Sequence, residues 1–299
     1  MPSGKVTIDF ETRSQIDLRK VGAHRYAADP TTEVLCLAAR KDQDDPVIWI
    51  NDKFNIFEAD LPLIGFQKIV HLIRKSAIVE AHNAEFEYAI WNECLTRYGA
   101  PPLPLEQFRC SAAMAAAMGL PRSLKDVAKC LGSPIDKDMG GHKLMLKMCK
   151  PRASRKAERE AEPDRDEVAN PYWWEEPEDI IRLAEYCLTD IEAEEWISDA
   201  MPCLSPDEQA VWLATARMNQ RGVQADLASC LTMETMVINY KEVLQQECQE
   251  LTGVRGTQTT KLLAWLNEHA DHEIPNIQKE TLEQELLKDD AIRRAELQG

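Results

Sequence analysis

No stretch of the 299-residue chain approaches the roughly 18 consecutive apolar residues that a membrane-crossing helix needs, so no membrane partner is expected. The opening, MPSGKVTIDFETRS, lacks the apolar run of a secretory signal, and a cytoplasmic setting is expected. CxxC pairs and Cys/His clusters at zinc spacing are missing as well. The nine cysteines are odd in number and widely spread, which fits reduced thiols used for packing. Positive charge is in short supply: 35 Lys and Arg stand against 51 Asp and Glu, a net charge of −16. Attraction of the whole molecule to nucleic acid therefore has no support, and a local basic patch or bound metal ions would have to supply it. What the chain does have is apolar material, 44% of its residues, enough for one large domain or two ordinary ones with real cores.

The first half reads mainly as strands. Residues 6–10 are apolar and rich in β-formers, 34–39 form a second apolar run, and 47–50 follow the turn-like Asp44-Asp45-Pro46. Residues 63–74 carry apolar side chains at helical spacing, 77–79 make a short buried strand, and 85–98 are again helical. Ser123 and Asp126 form a capping pair for a helix over 124–131 that ends at Gly132. Pro177 suits the first position of a long helix reaching about residue 200. Ser205-Pro206-Asp207-Glu208 is a capping box for a helix that runs to Arg221 and stops at Gly222. Two more helices, over about 227–251 with Asp226 as cap and about 258–269, complete the pattern. The expected class is α/β, a mixed sheet flanked by helices and followed by a smaller all-helical region. A boundary near Met201-Pro202 divides the chain into 1–201 and 202–299.

Three short segments hold acids that could do chemistry. In Asp9-Phe10-Glu11, two carboxylates two apart on a strand face the same side. Buried neighbours of like charge repel unless a cation neutralises them, and hard divalent ions prefer such oxygen donors. His82-Asn83-Ala84-Glu85-Phe86-Glu87 lies where a strand passes into a helix; by itself it reads as a capped turn with acids near the positive end of the helix. Tyr186 and Asp190 are four apart in the long helix and share one face.

In order and spacing these segments closely resemble the three exonuclease motifs of the DEDD superfamily, in its tyrosine subgroup. Asp9-Phe10-Glu11-Thr12-Arg13-Ser14 and the His82 to Glu87 segment look like the proofreading domain of phage-type family A DNA polymerases. The resemblance spans residues 1 to about 200. It implies a ribonuclease H-like fold and a 3′→5′ exonuclease that uses two divalent metal ions, Mg²⁺ or Mn²⁺. By that resemblance Asp9 bridges both ions, Glu11 and Asp190 complete the first site, Glu87 helps hold the second, and Tyr186 orients the attacking water. Thr12, His82, Asn83 and Phe86 would contact the 3′-terminal nucleotide of a single-stranded or frayed DNA end. Where the family more often has Asp, this chain has Glu87, one methylene longer, which suits a contact made through water. Asp17 and Glu85 are read as bystanders.

The basic run 137–156, with Lys137, Lys143, Lys147, Lys150, Arg152, Arg155 and Lys156, could track a DNA backbone or be a solvated loop. Residues 152–169 are poor in apolar side chains and are expected as a mobile loop. His142 could touch substrate, and Tyr172-Trp173-Trp174 could stack bases or pack the start of the long helix. Residues 217–226 and 257–266 resemble the beginning of the family A polymerase region and its thumb, yet the polymerase active-site motifs are absent. The implied partner is a polymerase region, in the same longer chain or as a separate subunit, in a bacterial host cytoplasm if phage-encoded. RNA as substrate, and a nuclease fold serving only to bind polymerase or DNA, are the competing expectations.

Overall fold

The computed structural model describes residues 3–135 and 138–296, with side chains as far as residue 288. The chain forms two compact units, Met1–Gly222 and Val223–Gly299. The first unit is built on five strands, β1 (Lys5–Arg13), β2 (Glu33–Lys41), β3 (Val47–Ile50), β4 (Ile78–Ala81) and β5 (Phe108–Cys110). Its helices are α1 (Leu18–Val21), α2 (Ala23–Ala28), α3 (Phe66–Arg74), α4 (Glu85–Ala89), α5 (Ser111–Ala117), α6 (Leu124–Leu131), α7 (Met139–Met148), α8 (Lys156–Ala161), α9 (Pro177–Asp199) and α10 (Pro206–Arg221). The sheet has the order β3-β2-β1-β4-β5, antiparallel from β3 to β1 and parallel from β1 to β5. This is the mixed α/β architecture expected from the alternation of apolar runs.

Strand alternation sorts β1 between two cores. Val6, Ile8 and Phe10 face α3 and the segment after α4, where they pack with Ile69, Ile73, Ile90 and Trp91. The other face meets α9: Ala38, Ile48 and Ile50 pack with Ile180, Leu183, Ala184, Cys187 and Ile191. Asp9 is in register with Ala38 and Glu11 with Cys36, so both acids fall on the α9 side. The register then shifts between Glu11 and Thr12, and Leu35 and Cys36 both pack toward α9 as a result of the bulge.

The local punctuation expected from the sequence is present. Ser123 accepts from the Asp126 N–H, Gly132 ends α6 at φ 75°, Pro177 opens α9, and both bonds of the Ser205–Glu208 capping box are made. Other expectations need correction. The helix expected over 63–74 begins only at Phe66, because Leu63 and Ile64 run beside β3, whose Ile48 bonds Pro62 and Ile64. The helix over 85–98 is α-helical only to Ala89. It continues as a π turn (Ile90–Cys94) and a 3₁₀ turn (Leu95–Tyr98), a winding that keeps Ile90, Trp91, Cys94 and Leu95 all buried. The stretch expected as a mobile loop contains α8, held by Arg152 paired with Glu158 and by Glu158 accepting from the Arg155 N–H at 2.6 Å.

Helix α10 packs with the first unit, through half-buried Trp212 against the core and Gln209 Nε2 donating to the Phe108 carbonyl at 3.3 Å. The division at Gly222 thus lies some way beyond the Met201-Pro202 boundary expected from sequence. The second unit comprises α11 (Leu227–Thr252), α12 (Thr259–His269) and α13 (Lys279–Glu296). Asp226 caps α11 and Gly253 ends it at φ 74°. Among the described residues, no helix is long and apolar enough to cross a membrane.

Candidate functional site

The parallel strands β1 and β4 deliver their C-terminal ends to one edge of the sheet, the place where open α/β sheets form ligand crevices. A cleft of about 1180 Å³ lies there, and all nine site residues expected from sequence line it: Asp9, Glu11, Thr12, His82, Asn83, Phe86, Glu87, Tyr186 and Asp190. Segments separated by up to some 180 positions are thereby brought together by β1, the β4–α4 turn and α9.

The acids sit in a strongly negative setting. Cys187 donates to the Asp9 carbonyl at 3.4 Å and to its Oδ2 at 3.3 Å, fixing that carboxylate against α9. Glu87 is buried on α4, and its Oε2 has no hydrogen-bond partner among the described residues. Burial, and then the charge of Asp9, push the Glu87 carboxyl well above the usual range. The Tyr186 hydroxyl bonds Asp190 and is pushed upward by burial, then by Asp190, Glu11 and Asp9, so it stays protonated. Glu194, one helical turn beyond Asp190, lines the same cleft.

Among the described residues, no three His, Cys, Asp or Glu side chains are already gathered as a metal-holding group. The donors nevertheless suit a hard divalent cation. They are carboxylates, one carries an orphaned buried oxygen, and their mutual repulsion is what a cation relieves.

The residues expected at the substrate end divide into two kinds. Thr12 Oγ1 lies 3.1 Å from the Tyr26 hydroxyl, and Phe86 packs tilted on the Tyr26 ring at 6.1 Å, so these three make one wall. Asn83 is exposed at φ 75°, a left-handed conformation Asn tolerates better than most residues. The His82 ring is held by the protein, with Nδ1 3.0 Å from Ser111 Oγ and Nε2 2.8 Å from the Arg122 carbonyl.

Two features of the cleft were not expected from the sequence. Gly141 on α7 lies so close to Tyr186 that an added Cβ would overlap the ring and come within 2.7 Å of Asp138 Oδ2. Asp138 caps α7 through the Gly141 N–H at 2.9 Å and pairs with Arg182 of α9, which fastens α7 beside Tyr186. The adjacent glycines at 140 and 141 were the available signal. For Glu194 it was the four-residue spacing Tyr186, Asp190, Glu194 along one helix face.

The basic run is largely neutralised. Lys147 pairs with Asp179 at 2.7 Å, Arg152 with Glu158 at 2.5 Å, Arg155 with Glu176 at 2.8 Å and Lys156 with Glu160 at 3.8 Å. Lys150 and His142 line the cleft, and Lys137 lies outside the described residues. The aromatic trio is covered by cations: Arg13 sits 4.4 Å over Trp173, Lys147 4.1 Å over Trp174 and Arg152 5.1 Å over Tyr172.

No family model matches the chain. A DNA polymerase of Bacillus phage SP02 is 29% identical to it over 297 residues. The chain is similar to a phage DNA polymerase. That match covers 97% of this chain but 42% of the phage protein, so the chain spans less than half the length of this relative.

Proposed function

We propose that the first unit is a two-metal-dependent 3′→5′ exonuclease that removes nucleoside monophosphates from DNA 3′ ends, proofreading for a phage family A polymerase. The observation that carries this reading is the convergence of Asp9, Glu11, Glu87, Tyr186 and Asp190 from three separate segments on one cleft. The mixed sheet with helices on both faces supports a ribonuclease H-like assignment. Similarity to a phage DNA polymerase supports DNA as substrate and a polymerase region as partner.

On this reading Asp9, Glu11 and Asp190 would hold one divalent ion, and Asp9 with Glu87 a second. Held there, two divalent ions would supply an activated water and stabilisation of the leaving 3′-oxygen. The Tyr186 hydroxyl donates to Asp190 and leaves its oxygen to accept from the attacking water. Thr12, Asn83 and Phe86 line the end of the cleft that receives the terminal nucleotide.

The test is digestion of 5′-labelled DNA with single-stranded, mismatched and recessed 3′ ends, alongside the matching RNA, with Mg²⁺, with Mn²⁺ and with chelator. The expected result is a metal-dependent ladder shortening from the 3′ end, fastest on frayed DNA. Asp9→Ala should lower the rate by about 10³-fold or more, through loss of the bridging carboxylate. Tyr186→Phe should slow cleavage by about 10²-fold and leave metal binding intact, because only the group that orients water is lost. A ladder that persists in Asp9→Ala would overturn the assignment, and one seen only on RNA would replace DNA as substrate.

A further inference from the structure

Glu194 has no assigned task in the chemistry above, yet it is buried at 2% exposure in the middle of the unit that performs it. Its Oε1 lies 3.3 Å from Ser111 Oγ, at the start of α5, and its carboxyl accepts the backbone N–H of His82. From Ser111 the contacts continue to His82 Nδ1 at 3.0 Å, and from His82 Nε2 to the Arg122 carbonyl at 2.8 Å. One acid on α9 is thus joined to both backbone and ring of the residue that opens the β4–α4 turn.

We infer that Glu194 is a positioning residue, which latches α9 to the turn carrying Asn83, Phe86 and Glu87 by hydrogen bonds and not by charge. The inference rests on the exonuclease reading for its consequence, because α9 carries Tyr186 and Asp190 while the turn leads into the other half of the site. Hydrogen-bond roles along the chain are constrained. A carbonyl only accepts, so His82 Nε2 bears its hydrogen toward Arg122, and the Nδ1 of a neutral ring can accept from the Ser111 hydroxyl. When Glu194 is ionised Ser111 donates to its Oε1; when Glu194 carries its proton, Ser111 gives its hydrogen to His82 and accepts from the carboxyl instead, and in both forms the carboxyl receives the His82 N–H. Burial, followed by the charges of Glu80, Glu87 and Asp9, favours the neutral, protonated form. A neutral carboxyl also adds no further negative charge to a site already crowded with it. Gln has the same shape and the same one donor and one acceptor where they are needed, so it can replace Glu194; Ala cannot.

The experiment compares Glu194→Gln and Glu194→Ala in the full chain by two readouts. The first is kcat and KM for a labelled single-stranded oligonucleotide. Glu194→Gln should stay within about threefold of wild type, and Glu194→Ala should lose about tenfold in kcat with KM nearly unchanged, the effect of misplacing groups that act in the transition state. The second is the ¹⁵N imidazole spectrum of His82, assigned by its disappearance in His82→Asn. It should show the Nε2–H tautomer in wild type and Glu194→Gln, and mixed tautomers in Glu194→Ala. Equal losses in both variants, with metal affinity falling in parallel, would show a ligand carboxylate and overturn the latch. A His82 signal unchanged in Glu194→Ala would overturn it too. Should Glu194→Ala fail to fold, Ser111→Ala breaks the same chain at its middle and should shift the His82 tautomer; an unshifted signal would count against the latch. A wild-type protein that cleaves nothing but shows the expected His82 pattern would overturn the exonuclease reading and leave the latch in place.

Discussion

From Met1 to Gly222 the apolar side chains are gathered between a sheet and its helices, whereas from Val223 onward they line the outside of α11. In the first unit Ile8, Leu37, Trp91, Leu183 and Ile191 are sealed from solvent. In the second, Ile274 is the buried apolar residue among those described, and Leu231, Met236, Val237 and Ile238 are each more than half exposed. Both regions form helices readily, since α11 is as well capped as α6, with Asp226 at one end and Gly253 at the other. The difference lies in burial and not in propensity. A cleft that must hold several like charges close together is found where packing is dense enough to resist their repulsion.

The comparison can be broken most forcefully at Trp91, which is fully buried and donates its indole N–H to the Pro101 carbonyl at 2.9 Å. Trp91→Ala should cost about 3–5 kcal/mol, measured by urea unfolding of the first unit's transition. A loss below about 1 kcal/mol would mean that the core tolerates a large hole, against expectation for close packing. Gly141→Ala comes next. An exposed helical Gly→Ala change stabilises by roughly 0.4–1 kcal/mol, but here the new methyl group meets the Tyr186 ring. The sign should invert to a loss of about 1–3 kcal/mol, with cleavage reduced as Tyr186 is pushed aside. An increase in Tm for this variant would show that α7 yields freely.

Acid stability sharpens the same contrast. Glu33 is partly buried, which raises its pKa, yet the hydrogen bond from Lys53 and the charge of Arg13 outweigh this and hold it below the ordinary value. A carboxyl lowered on folding stabilises the folded state above its unfolded pKa and loses that contribution as pH falls through the folded one. Glu33→Gln should therefore be less stable than wild type at pH 7, and the gap should close as the pH drops below about 4.5. Glu285 in the second unit is also held low, by hydrogen bonds from Lys288 and His272, but both of those partners are exposed to solvent. Glu285→Gln should leave the acid limb of the unfolding curve unchanged. The smallest effect is expected at Leu231, 62% exposed on α11, where Leu231→Ala should stay within about 0.5 kcal/mol. A cost comparable to that of Trp91→Ala would show that α11 is covered in solution.

Much of this was legible in the residues themselves. The ends of α6, α9 and α10 follow from Ser123, Gly132, Pro177 and the Ser205–Glu208 box, because a cap is settled within four residues. The spacings of Asp9 with Glu11 and of Tyr186 with Asp190 placed each pair on one face, since strand and helix periods are local properties. The helix expected over 85–98 was legible as helical but not as a π turn, which arises from the demand to bury Ile90, Trp91, Cys94 and Leu95 together. The three-residue β5 was too short to show a period, and it exists because β4 offers it an edge.

Sequence alone determined where turns and caps fall, which residues alternate toward a core, and which acids stand two or four apart. These depend on neighbours along the chain. Only the tertiary structure decided that Glu87, from a different face of the sheet, shares the field of Asp9, that Lys147 is paired with Asp179 and Arg155 with Glu176, and that His82 is tied to Glu194 through Ser111. The reason is common to all three. Charge and hydrogen-bond energies depend on distance in space, and residues some 20 to 110 positions apart acquire a distance only when the sheet and its helices pack together.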